Sequence, residues 1–476
     1  MTQPTRQHPF WTRIVPKLLP FADAATHDLP LPRLLRLSLF QISVGLAAAL
    51  LTGTLNRVMI VEMGVPASLV ALMVSLPLVF APLRALIGFR SDTHRSKLGW
   101  RRVPYIWMGT LLQFGGLAIM PFALIVLSGD THGPAIFGHL GAGLAFLLVG
   151  AGLHTTQTAG LALATDLAPE QARPRVVALL YVVLLVGMFG SAMALGWLLA
   201  DFSQLRLIEV IQGAAVITLI LNLIALWKQE ARDPRVTADD RPRPTFAQAW
   251  AQISQHGRTA RLLVAIGLGT AAFSMQDILL EPYGGEILGL SVGATSQLTA
   301  ILAAGSLLGF AIAARALTQR WNAYRLAAVG ALIGLAAFSA VIFAAPLQSP
   351  ELFRVGTGLI GLGAGLFAVS TLTAAMALAR AGDSGIALGA WGAVQATAAG
   401  LAIAAGGAIR DVVSVFAERG SLGEALMDPA TGYAVVYHIE IALLFLTLVA
   451  IGPLVRPASA LETQPNTGFG LGQFPA

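Results

Sequence analysis

Long apolar runs broken by short polar, glycine- or proline-marked segments set the pattern of this chain. A helix needs about 20 apolar residues to cross a hydrocarbon core. Twelve stretches reach that length: 37–61, 66–89, 104–128, 136–165, 176–200, 206–227, 261–283, 294–317, 324–345, 351–379, 386–409 and 433–455. The runs are continuous rather than alternating, so they predict helices and not the strands of a membrane barrel. The expected fold class is all-α, integral to the membrane, with twelve transmembrane helices in two six-helix halves. The polar stretch 228–260, with Pro234, Pro242 and Pro244, divides them. The domain reading is then a cytoplasmic or interfacial segment over 1–36, bundles over 37–227 and 261–455, the linker between them, and a tail over 456–476. Phe10, Trp11, Ile14, Leu18 and Leu19 beside Arg13 and Lys17 give the first segment interfacial anchors.

Composition sharpens this picture. The chain is 56% hydrophobic and 11% charged, well under the roughly 25% charge of a soluble domain. Glycines four apart, as in Gly305–Gly309 and Gly361–Gly365, suit close helix–helix approach in lipid. Cysteine is absent, which removes disulfides, thiolate metal sites and cysteine nucleophiles. The net charge of +6 is a topology signal: 24 of the 30 lysines and arginines fall in the terminal segments, the linker and the loops of one side. By the positive-inside rule that side is cytoplasmic, so both termini are expected in the cytoplasm, with no nucleic-acid partner. No nucleophile–base pair or phosphate-cradling loop stands out, and no enzyme is expected.

Few polar residues interrupt the apolar runs. Gln276–Glu286 reads QDILLEPYGGE and sets Asp277 and Glu281 four residues apart, on one face of a continuous helix. Pro282, Gly284 and Gly285 are expected to stop that helix. Carboxylates at such depth need partners; Arg57, near the outer end of the first span, and His438 with Glu440, near the start of the last, are the candidates. Asp277 and Glu281 read as a gate or as structural capping. His154, midway along the fourth span and followed by Thr155, Thr156, Gln157 and Thr158, is a candidate ligand for the magnesium of a chlorin or a hydrogen-bond donor. The alternative is a histidine bonded to a neighbouring helix. Gln157 and His438 complete the candidate pigment contacts, and no metal site of the protein's own is expected.

The stretch 88–102 reads GFRSDTHRSKLGWRR and resembles the Gly-x-x-x-Asp…Gly-x-Arg-Arg loop of the major facilitator superfamily. Gly88 allows close packing of spans, and Asp92 with Arg101 and Arg102 can latch helix ends. Asp166, at the end of the fourth span, is a further partner for those arginines. The stretch 94–98 lengthens the loop, and the corresponding region around Arg315–Arg325 lacks an aspartate.

Three longer blocks are more specific: QDILLEPYGGEILGLSVGATSQLTA (276–300), GFRSDTHRSKLGWRRVPYIW (88–107) and ATDLAPEQARPRVVAL (164–179). They resemble the bacteriochlorophyll delivery (PucC/LhaA) family of that superfamily, with the likeness running over essentially all twelve spans. The extended N-terminus and the tail NTGFGLGQFPA resemble the LhaA branch more than the PucC branch. The resemblance implies assembly of a light-harvesting antenna in the intracytoplasmic photosynthetic membrane, the core antenna around the reaction centre in the LhaA case. It also implies bacteriochlorophyll as bound cargo, with carotenoid a second candidate. The implied partners are antenna alpha and beta polypeptides, reaction-centre and antenna assembly intermediates, pigment-synthesis enzymes and membrane lipids. Alternatives are a peripheral-antenna assembly factor, a secondary transporter of a small solute, and a facilitator scaffold that transports nothing.

Overall fold

A computed structural model describes residues 25–26, 29–79, 91, 99–128, 134–169, 172–231, 257–378 and 384–455. The expectations for 1–24, for Gly88 and Asp92, for most of the linker and for the tail after 455 fall outside the described residues. The helices in order are α1 (Leu31–Glu62), α2 (Ala67–Val79), α3 (Val103–Leu127), α4 (Ala135–Leu167), α5 (Arg173–Leu198) and α6 (Gln204–Leu226). The second half holds α7 (Gly257–Ser274, continued by Met275–Ile278 and Leu280–Glu286), α8 (Val292–Thr318) and α9 (Ala323–Ala344). It closes with α10 (Pro350–Leu378), α11 (Ser384–Glu418) and α12 (Thr431–Ile451). Among the described residues there is no strand. Eleven helices are long and apolar enough to cross a membrane; α2 is a shorter apolar helix, and the remainder of its predicted span lies outside the described residues.

Glycine spacing sets the closest crossings, as expected for helices that must pack in lipid. In the first half, a Cβ added to Gly116 of α3 would sit 2.7 Å from the Ala145 carbonyl of α4. In the second half, one at Gly309 of α8 would sit 2.5 Å from the Leu362 carbonyl, and one at Gly365 of α10 2.5 Å from that of Ser306. Between the halves, Gly293 of α8 meets the Gly196 carbonyl of α5 at 2.6 Å on the same construction, and Gly407 of α11 meets that of Ala67 of α2 at 2.7 Å.

Two elements depart from the expected straight helices. The outer part of α1 is wound as π-helix over Ala49–Leu55 and again over Val58–Glu62. Helix α7 does not stop at Pro282. It narrows to a 3-10 turn at Met275–Ile278 and resumes through Pro282, Gly284 and Gly285 to Glu286. Proline lacks only an N–H that the first turn of a helix leaves unused, so Pro282, third in the resumed segment, starts a helix rather than ending one. The stop comes at Gly289, whose φ of +64° suits glycine.

Among the described residues, hydrogen bonds that cross between the halves lie at the end away from the arginine-rich loops. Thr54 Oγ1 and Ser296 Oγ are 3.0 Å apart, the Arg57 guanidinium donates to the Leu290 carbonyl at 3.3 Å, and the Ser68 N–H donates to Asp411 Oδ2 at 2.7 Å.

Candidate functional site

The break in α7 gathers the buried acids of the second half. A 3-10 turn withdraws backbone donors from the i→i−4 ladder, and each must find another acceptor. The N–H of Gln276 finds Oε1 of Glu440, 2.7 Å away on α12 and fully buried. The Gln276 side-chain amide donates to the Phe273 carbonyl at 3.2 Å and to Asp277 Oδ1 at 2.7 Å. Asn56 of α1 donates to the Asp277 carbonyl at 3.4 Å, so the π-wound part of α1 leans on the turn.

The break also separates the two acids expected on one face. Asp277 lines a cavity of about 190 Å³ whose polar side is Thr270, Ser274, Gln276 and Gln395 and whose apolar side includes Phe273 and Phe367. Glu281, 2% exposed, turns instead toward α1 and α8, where Thr299 Oγ1 donates to its Oε1 at 2.6 Å. Gly53 in the π-wound stretch makes room for it: a Cβ there would collide with the Glu281 carboxylate.

Arg57, a candidate partner for Asp277 and Glu281, forms its ion pair with Glu62. Its guanidinium lies over Gly285, where a Cβ would come within 3.0 Å of Nε. Gly285 therefore serves close approach by Arg57 rather than helix termination. His438 does not answer Asp277 or Glu281. It is exposed, its Nδ1 sits 2.7 Å from the Ala434 carbonyl, and Glu440, two residues on, is the side chain that turns inward. Successive helical positions two apart point to nearly opposite sides, so only one of this pair can face α7.

A cluster that sequence reasoning missed closes the same end. Arg410 Nη2 and the Tyr433 hydroxyl each reach Glu286 Oε2 at 2.5 Å, and Arg410 Nη1 reaches Asp411 Oδ1 at 3.1 Å. Asp411 then accepts the Ser68 N–H at the start of α2 in the other half, where a carboxylate also complements the helix dipole. The adjacent charges Arg410 and Asp411 inside a long apolar helix were the available signal.

At the arginine-rich end the expected latch forms among the described residues. Asp166 Oδ2 lies 3.1 Å from Arg101 Nη2 and 3.0 Å from Arg102 Nε. Glu230, just past α6, accepts the N–H groups of Arg101, Arg102 and Val103 at 2.7–3.0 Å and so caps α3. Deeper in this half, polar groups bind one another: Gln113 donates to Thr156 at 3.0 Å, Asn222 to Thr110 at 3.0 Å and Ser43 to Asn222 at 2.7 Å. His154 is half-buried on α4, one turn before the buried Gln157. The fold does not bring either to His438, which lies on α12 of the other half. No group of three or more metal-ligating side chains occurs among the described residues.

A family model described as PUCC protein matches residues 54–459. The chain is 57% identical over 462 residues to an uncharacterized protein of the puhA–bchM intergenic region of Rhodobacter capsulatus, covering 96% of this chain and 97% of that one. It is 59% identical over 407 residues to Protein PucC of Rhodovulum sulfidophilum, covering 84% and 89%. Among solved structures, a POT family transporter in complex with a thioalcohol-conjugated peptide superposes with a TM-score of 0.65 at 11% identity, covering 89% of this chain and 96% of that one. That last likeness is one of fold alone: the chain shares the helix arrangement of that transporter.

Proposed function

The chain belongs to the PucC family, and from that premise we propose that it assists assembly of a bacterial light-harvesting antenna within the photosynthetic membrane. The observation that carries this reading is the family match over residues 54–459, which takes in both the α7 break and the Arg101–Arg102 latch. The finer reading is that the core antenna is served, that bacteriochlorophyll is held as cargo, and that nascent antenna helices lie against the apolar outer faces. The arginine-rich end, with both termini, faces the cytoplasm.

What supports a cargo-holding role is the use of the polar groups. Among the described residues they bond to neighbouring helices, to carbonyls of their own helix or at helix ends. The cavity at Asp277, about 190 Å³, is below the roughly 300–1,000 Å³ of small-molecule pockets. A ring as broad as a chlorin does not fit there. We assign the pigment contact to the half-buried His154 with Gln157 on α4, and a second contact to the exposed His438. An imidazole can ligate the pigment's magnesium.

The test is pigment content. The tagged chain, isolated from membranes of a pigment-producing phototroph, is expected to carry near-infrared bacteriochlorophyll absorption, and His154→Phe to lose most of it. A pigment-free native chain contradicts the cargo reading, and full occupancy in His154→Phe contradicts the assignment to His154.

A further inference from the structure

The cavity at the α7 break offers oxygen acceptors with nothing to accept from. The Gln276 amide is oriented by the Phe273 carbonyl, which only accepts and so faces the amide nitrogen. Its Oε1 is therefore the atom left over, in a residue 1% exposed, and no hydrogen-bond partner reaches it. The Thr270 hydroxyl, in a residue 7% exposed, has no partner either. Both residues line the cavity with Asp277 and Gln395, and no lysine or arginine is among its lining residues. Buried polar atoms in native structures are almost always satisfied, so these two oxygens, in residues that line the cavity with a carboxylate, leave a place for a positive or donating group.

We propose that this cavity is a binding site for a small alkali cation, held by Asp277, Gln276 Oε1 and Thr270 Oγ1. The donor set is all oxygen, which suits hard cations. One carboxylate balances one positive charge, whereas a divalent ion would leave charge uncompensated against Phe273 and Phe367. The position is also physically apt, since interrupted membrane helices are where transporter folds place their ion sites. The site is independent of the antenna reading. It uses none of the residues assigned to pigment, so either conclusion can fail alone.

The experiment is thermal unfolding of the full-length purified chain in detergent, in sodium, potassium or choline chloride at equal ionic strength, with the salts as the only probes. A saturable rise in midpoint of several degrees in sodium or potassium over choline is expected, the two arms identifying the ion. Asp277→Asn and Thr270→Val should lose the rise while keeping the native midpoint in choline. If Asp277→Asn does not fold, Thr270→Val carries the comparison. Coincident native curves in all three salts overturn the proposal. An undiminished rise in a folded Thr270→Val overturns the placement.

Discussion

Glu440 accepts a backbone N–H that the break in α7 releases from its own helix. Replacing it by leucine orphans the Gln276 N–H, which should cost about 1–3 kcal/mol, whereas Glu440→Gln keeps an acceptor oxygen and should cost less. Thermal unfolding of the two variants in detergent checks the order, and equal losses would mean that the contact at Gln276 is not what matters. That Glu440 was one of a pair of interesting polar residues was legible in the sequence. Its partner was not, because the partner is a main-chain group released by a break that leaves no residue signature. Gly285 teaches the same lesson. Its place in a Pro-x-Gly-Gly run reads as a terminator, yet its hydrogen is needed for the Arg57 guanidinium to lie across it. Gly285→Val should displace Arg57 from the Leu290 carbonyl and lower the unfolding temperature, and an unchanged temperature would contradict that role.

At the scale of elements, apolar run length located the helices because the hydrocarbon core imposes it. Glycine spacing marked the faces of α8 and α10 that cross, because only small residues allow carbonyls so near. Gly361 packs its hydrogens against the Leu302 carbonyl, so Gly361→Val is an overpacking substitution and should destabilise by about 1–3 kcal/mol. Gly115 of α3 has no atom within 4 Å of an added Cβ. Gly115→Ala should leave stability unchanged or raise it, since alanine is the better helix former by up to about 1 kcal/mol. Equal effects of the two substitutions would show that the crossing is not glycine-dependent. The interruption of α7 was not legible. Ser274, Met275 and Gln276 are ordinary helix residues, and what holds the turn is Glu440 on a distant helix together with Asn56 of the other half.

For the whole molecule, the Arg101–Arg102–Asp166 latch was legible, since it rests on local charge and spacing. Where the halves meet was not, because the bonds that join them link residues hundreds of positions apart, as Ser68 and Asp411 do. The chain has no cysteine, so an introduced pair reports on this closure without background. Thr54→Cys with Ser296→Cys replaces hydroxyls 3.0 Å apart and should cross-link under mild oxidation, so that proteolysis within the linker no longer separates the halves on a non-reducing gel. Separation despite oxidation would place the contact elsewhere. The most direct test of the antenna reading is the near-infrared absorption of a phototrophic host from which this chain alone is deleted. The expected result is a loss of core-antenna absorption per cell, restored by the native chain; an antenna band of undiminished height in the deletion strain would contradict the account.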